Sequence, residues 1–138
     1  MNEGQRRIAL LLEYDGTAFA GSQWQPNART VQEVLEVALS EFTGERSDTG
    51  NRISFAGRTD SGVHASGQVA ALSTNTQHSP ATCRDALNHF LPEDVVVRAA
   101  AEVAVTFDPR RHAEARRYRY RIEYGRDRAP LTRRTAWQ

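Results

Sequence analysis

Apolar residues recur along the chain with two different spacings. The run IALLLEY at 8–14 is short and apolar, which predicts a buried strand. Asp15-Gly16 closes it with a turn signal. GSQWQPNAR at 21–29 is rich in Gly, Ser, Pro and Asn and reads as a loop. From Thr30 the spacing changes. Val31, Val34, Leu35, Ala38, Leu39 and Phe42 return every three or four residues and predict a helix with one apolar face. Thr30 and Glu33 stand at capping-box spacing, each side chain able to reach an open amide of the first turn. Thr43-Gly44 stops the helix.

Further on, 53–56 and 68–73 predict two strands, separated by the polar loop GRTDSGVHA at 57–65. Ser79-Pro80 supplies a cap followed by proline at the first helical position, predicting a second helix over 80–90 that ends at Leu91-Pro92. Residues 95–105 are strand-like. The order β-α-β-β-α-β predicts an α+β ferredoxin-like sandwich, an antiparallel sheet with helices on one face, over residues 1–105. A fifth strand, RYRYRIEY at 117–124, alternates cleanly. Tyr118, Tyr120, Ile122 and Tyr124 share one face; Arg117, Arg119, Arg121 and Glu123 share the other. The first repeat is already complete, so residues 106–138 read as the start of a second, truncated α/β domain.

Composition adds limits. With 138 residues, 39% hydrophobic and 25% charged, the chain has one globular domain's worth of core and is not a charge-dominated disordered segment. No apolar run approaches the roughly 18 residues of a membrane helix, and no signal peptide is read at the N-terminus. One cysteine, Cys83, fits a reducing, cytoplasmic compartment. The net charge of +1 conceals an asymmetry. Residues 1–105 carry 8 Arg against 13 acids, and residues 106–138 carry 10 Arg against 4. A basic C-terminal stretch attracts phosphates. All basic residues are Arg, which suits bidentate phosphate contacts and equally reflects genome composition.

The segment with the most chemical content is the loop at 57–65. Arg58 and Asp60 lie two residues apart, so an extended backbone projects both to one side. The guanidinium could then hold the carboxylate ionised and oriented, as a nucleophile or general base requires. An Asx-turn at Asp60 with a surface ion pair to Arg58 explains the same residues without catalysis.

Taken together, YDGTAFAGSQWQPN, TVQEVLE, GRTDSGVHASGQV, LNHFLPEDV and FDPRRHAEARRYRYRI resemble the tRNA pseudouridine synthase A family over nearly the whole chain and in the family's order. The pattern GRTDxGVH is that family's signature. The resemblance implies isomerisation of uridine to pseudouridine in the anticodon stem-loop of tRNA, at positions 38 to 40, with no cofactor and no metal. It implies that Asp60 is the catalytic residue, attacking the uridine at the ribose or at the ring. Arg58 is implied to fill the space left by the flipped nucleotide, and Tyr118 to stack on the target base, where stacking contributes on the order of 1–3 kcal/mol. Without the resemblance, Tyr118 reads as a core aromatic on a half-buried strand. The family's chains are about twice this long and form homodimers. The sequence is therefore expected to be an N-terminal fragment, poorly active alone, whose complete form is a cytoplasmic homodimer acting on tRNA.

Other residues carry weaker expectations. Arg110, Arg111, Arg116, Arg117, Arg119 and Arg121 could line a basic cleft or form a solvated face. Ser22 stands where the family usually carries an aromatic. His64 reads as a packing and hydrogen-bonding residue. His78, His89 and His112 lack partners at metal-ligand spacing. Cys83 reads as a small buried hydrophobe. A non-catalytic RNA-binding ferredoxin-like module is the alternative to an enzyme.

Overall fold

The computed structural model describes residues 5–45 and 53–113. Four strands and two helices follow in the expected order: β1 (Arg6–Tyr14), α1 (Val31–Thr43), β2 (Ile53–Phe55), β3 (Ala65–Thr74), α2 (Pro80–Phe90) and β4 (Val95–Val103). The sheet order is β2-β3-β1-β4, with every neighbouring pair antiparallel. This is the α+β ferredoxin-like arrangement. The predicted strand at 117–124, with Tyr118 and most of the second-domain residues, lies outside the described residues.

β1 is the centre of the sheet, and its side chains alternate. Ile8, Leu10, Leu12 and Tyr14 face the helices and are buried, whereas Leu11 is 39% exposed on the opposite face. IALLLEY is thus half-buried rather than buried on both sides, as helices on a single face require. Val31, Leu35, Ala38 and Leu39 of α1 meet Leu87 of α2 and Val95 and Val97 of β4 in one core. Fully burying each such leucine or valine contributes roughly 1.5–3 kcal/mol.

The ends of both helices follow their local chemistry. Thr30 Oγ1 accepts the Glu33 amide at 3.2 Å, and Gly44 takes the left-handed conformation that ends α1. Ser79 Oγ accepts the Thr82 amide at 3.2 Å, with Pro80 at the first position of α2. Cys83 is buried within α2, and burial pushes its thiol pKa up. No described helix is long and apolar enough to cross a membrane.

Strand boundaries depart from expectation where backbone pairing outruns hydrophobic pattern. β3 begins at Ala65, three residues early, because Ala65 pairs with Tyr14 beyond a bulge in β1. A second irregularity, against β4, falls between Leu11 and Leu12. Both lie near the end of β1 that leads into the candidate site, where bulges commonly redirect a strand. β4 stops at Val103, the partner of Arg7, rather than at 105.

Candidate active site

Two loops meet at the end of β1. The first, residues 15–30, leads from β1 to α1. The second, residues 56–64, joins β2 to β3 and contains Arg58 and Asp60. Their backbones approach too closely for side chains at two points. A Cβ on Gly16 would stand 1.9 Å from the Val63 carbonyl oxygen, and one on Gly21, at φ +91°, would stand 2.7 Å from the Thr59 carbonyl oxygen.

Thr59 is the principal anchor of the second loop. Its amide donates to Ser22 Oγ at 2.9 Å, and its carbonyl accepts the Ser22 amide at 3.0 Å. Its hydroxyl shares a 2.7 Å hydrogen bond with the Tyr14 phenol. Beyond Asp60, the Val63 amide donates to the Asp60 carbonyl at 3.1 Å and closes a turn, with Gly62 at φ +81°. The Gly62 amide and the Ser61 hydroxyl both donate to the Phe19 carbonyl, at 3.2 and 3.3 Å. His64 Nδ1 accepts the Gly16 amide at 3.0 Å, the hydrogen-bonding role expected of it. Before Arg58, Gln68 brackets Gly57: its Nε2 donates to the Gly57 carbonyl at 2.6 Å and its Oε1 accepts the Gly57 amide at 3.4 Å.

The first loop is itself tied to the core. Ser22 and Gln32 are fully buried. Gln32 Oε1 accepts the Trp24 amide at 2.8 Å, while its Nε2 donates to Glu36 Oε2 at 2.9 Å. Glu36 Oε2 also accepts the Ile53 amide at 3.3 Å, linking α1 to the start of β2. Arg29 lies 4.1 Å above the Phe19 ring and grips Asp94 with two bonds of 2.9 and 3.0 Å. No buried side-chain nitrogen or oxygen among the described residues lacks a partner.

This scaffold does not bring Arg58 and Asp60 together as the two-residue spacing predicts. Asp60 and Arg58 are both exposed, and no hydrogen bond or ion pair joins them among the described residues. The turn at Asp60 is closed by its backbone carbonyl, which accepts the Val63 amide, and among the described residues the Asp60 carboxylate makes no Asx-turn or ion pair. Arg58 instead lines an open cleft of about 310 Å³ with Gln23, Ile53, Ser54, Phe55, Asp108 and Arg110. Tyr118 lies outside the described residues, as do Arg116, Arg117, Arg119 and Arg121.

The cleft's far wall is held by Arg7, whose Nε donates to the Phe107 carbonyl at 2.9 Å and whose Nη1 donates to Ser73 Oγ at 3.1 Å. Asp108 accepts the amides of Arg110 and Arg111 at 3.0 and 3.3 Å. The Arg111 amide first, with the Arg110 amide and the Arg111 and His112 charges adding to it, holds the Asp108 carboxyl below the usual carboxylate range against a smaller opposing effect of burial. Among the described residues no group of three His, Cys, Asp or Glu side chains could hold a metal ion.

Sequence reasoning overlooked Tyr14, Ser22 and Gln32. Tyr14 is read from sequence only as the end of the strand at 8–14, and Gln32 lies off the apolar face of the predicted helix. Ser22 registered only as a departure from an aromatic. The available signal was its position directly after Gly21, where the loop backbones come into contact.

A family profile described as tRNA pseudouridine synthase matches residues 10–110. A tRNA pseudouridine synthase A of Roseiflexus castenholzii is 56% identical over 131 residues, covering 95% of this chain and 47% of the relative. That of Citrifermentans bemidjiense is 47% identical over 133 residues, covering 96% and 52%. That of Chloroflexus aurantiacus is 51% identical over 118 residues, covering 86% and 41%. The chain thus spans about half the length of the curated relatives it matches. With the profile running from the middle of β1 to Arg110 and taking in both loops of the site, the chain belongs to the tRNA pseudouridine synthase family.

Proposed function

We propose that this chain carries the nucleophile-bearing part of an enzyme that isomerises uridine to pseudouridine in the anticodon stem-loop of tRNA, at positions 38 to 40. Asp60 is the nucleophile. The observation that supports this most directly is the contrast within one loop. The backbone on both sides of Asp60 is fixed by Tyr14, Phe19 and Ser22, while the carboxylate itself faces outward with no described partner. A side chain left available on a rigid support is what covalent catalysis needs.

On this reading the carboxylate attacks the extruded uridine at the ribose or the ring. The glycosidic carbon–nitrogen bond breaks, the base turns, a glycosidic bond forms to ring carbon, and the bond from the Asp60 carboxylate breaks to regenerate the free carboxylate. One proton leaves that carbon and one is gained by the released nitrogen, so the reaction balances without a cofactor or metal. Arg58, at the rim of the cleft, occupies the space the flipped nucleotide vacates. Tyr118 stacks on the base, and residues 106–138 begin the second half of the cleft. The working enzyme is a cytoplasmic homodimer that binds tRNA.

A second reading has its own observation. The cleft lined by Arg58 and Arg110 does not include Asp60, and two guanidinium groups at one opening suit RNA phosphates without chemistry. Asp60→Asn separates the two. In the protein expressed from its complete reading frame, the change is expected to abolish pseudouridine formation on an unmodified anticodon stem-loop and to leave tRNA affinity within about twofold. Undiminished turnover by the variant would exclude Asp60 as nucleophile, whereas a parent protein that binds tRNA but forms no pseudouridine would leave the binding module standing.

A further inference from the structure

We propose that Tyr14 and Thr59 are positioning residues, and that their hydroxyl pair sets the direction in which the Asp60 carboxylate is presented. The inference rests on Asp60 being the nucleophile. Thr59 immediately precedes Asp60, and its amide, carbonyl and hydroxyl are all engaged: the first two by Ser22, the third by the Tyr14 phenol at 2.7 Å. On the other side of Asp60, Ser61 and Gly62 are both held by the Phe19 carbonyl. The peptide planes flanking Asp60 are therefore fixed from both directions, which leaves its side-chain torsions as the remaining freedom.

Tyr14 is built to act as a rigid support. It is the last residue of β1, where it pairs with Ala65 on one side and Val95 on the other. The residue is 3% exposed, and its ring stands edge-on to Phe19 at 6.4 Å. Phe19 is in turn covered by the Arg29 guanidinium, which is tied to Asp94. Packing alone would be satisfied by phenylalanine. The phenol adds one hydroxyl, and its partner is the side chain next to the proposed nucleophile. Ser22 holds the Thr59 backbone, but a backbone bridge leaves rotation of the loop segment about its own axis less restricted. The Tyr14 contact removes that rotation by fixing the side chain. A displacement of about 1 Å in a reacting group can cost up to roughly 100-fold in rate.

The test uses the protein expressed from its complete reading frame, under single-turnover conditions on an unmodified anticodon stem-loop. Rates are normalised to the tRNA-binding stoichiometry, so that any unfolded fraction is not counted. Tyr14→Phe and Thr59→Val are each expected to lower the rate constant roughly tenfold or more. The double variant is expected to lose no more than the worse single one, because both remove the same bond. The tRNA dissociation constant is expected to stay within about twofold, which a general loosening of the loop would not allow. Losses that multiply in the double variant, a rate within twofold of the parent for either single variant, or a loss confined to tRNA affinity would overturn the inference. Asp60→Asn is run alongside. Turnover by Asp60→Asn defeats the nucleophile reading itself, whereas an inactive Asp60→Asn beside a fully active Tyr14→Phe defeats only the positioning role.

Discussion

Ser22→Ala removes one hydroxyl and nothing else from the joint between the two loops. The side chain is fully buried, and its Oγ accepts the Thr59 amide at 2.9 Å. The Ser22 amide still donates to the Thr59 carbonyl, and the Gln32 amide still donates to the Ser22 carbonyl at 2.9 Å, so the backbone path of the loop is retained. What changes is the Thr59 N–H, which is left facing a methyl group in a region closed to water on the Ser22 side. An unsatisfied buried donor costs roughly 1–3 kcal/mol, and the upper part of that range applies only if the loop cannot shift to admit water. The Gly21 backbone, within reach of the Thr59 carbonyl, and the Tyr14–Thr59 bond both oppose such a shift. About 1–3 kcal/mol is therefore expected, which for a domain of this size is a fall of about 4–8 °C in melting temperature per kcal/mol. Urea unfolding measures the free energy, and amide hydrogen exchange reports the site: Thr59 should exchange faster, while amides of central β1 keep their protection. Val37→Ala, on the exposed side of α1, should change stability by no more than about 0.5 kcal/mol and serves as the reference. A Ser22→Ala protein as stable as the parent, with Thr59 exchange unaltered, would refute the view that this buried hydroxyl holds the loop.

Two further predictions concern the far wall of the cleft. Arg110→Ala is expected to weaken tRNA binding and to reduce the slope of log affinity against log salt by roughly one, as loss of a single phosphate contact does, measured by filter binding across a salt series. Asp108 has its carboxyl pKa held down in the folded state from the ordinary 3.8, so its contribution is complete above that value and disappears as pH falls through the lower folded value. Asp108→Ala should thus be less stable than the parent at neutral pH, with the gap narrowing in urea titrations carried below about pH 3.8.

Most of the fold was legible because local chemistry and tertiary packing agree. The Thr30 and Ser79 caps, Pro80, Gly44 and the apolar stripe of α1 each set a boundary that packing did not move. The errors came where pairing partners are distant in sequence. Ala65, Ser66 and Gly67 carry no strand signal of their own, yet β3 begins at Ala65, which pairs with Tyr14. The site divides the same way. Gly57 to His64 could be singled out by composition and spacing, but the relation between Arg58 and Asp60 could not. Two residues apart predicts one side only if the backbone stays extended, and the cleft that Arg58 lines does not include Asp60. Tyr14, Ser22 and Gln32 were invisible for a related reason. Each is defined by a bond across 8 to 45 residues of sequence, to a partner that no periodicity identifies.

The arrangement assigns support and presentation to different parts of the chain. Loop 56–64 has little apolar content and could not hold a fixed shape on its own; an isolated loop of this kind has no core to order it. Its shape is imposed by the β1–α1 loop, and that loop is fixed by the buried pair Gln32–Glu36 and by Arg29 against Phe19 and Asp94. The chain of contacts thus runs from the helix-sheet core, through polar side chains that are all partnered, to the peptide planes around Asp60. Two glycines make the approach possible, since Gly16 and Gly21 are where the backbones touch. Ser22, standing where the family usually carries an aromatic, belongs to this order: a large ring could not occupy a fully buried site between Gly21 and Thr59 without separating the loops. The serine instead supplies a hydrogen bond to the residue beside the proposed nucleophile.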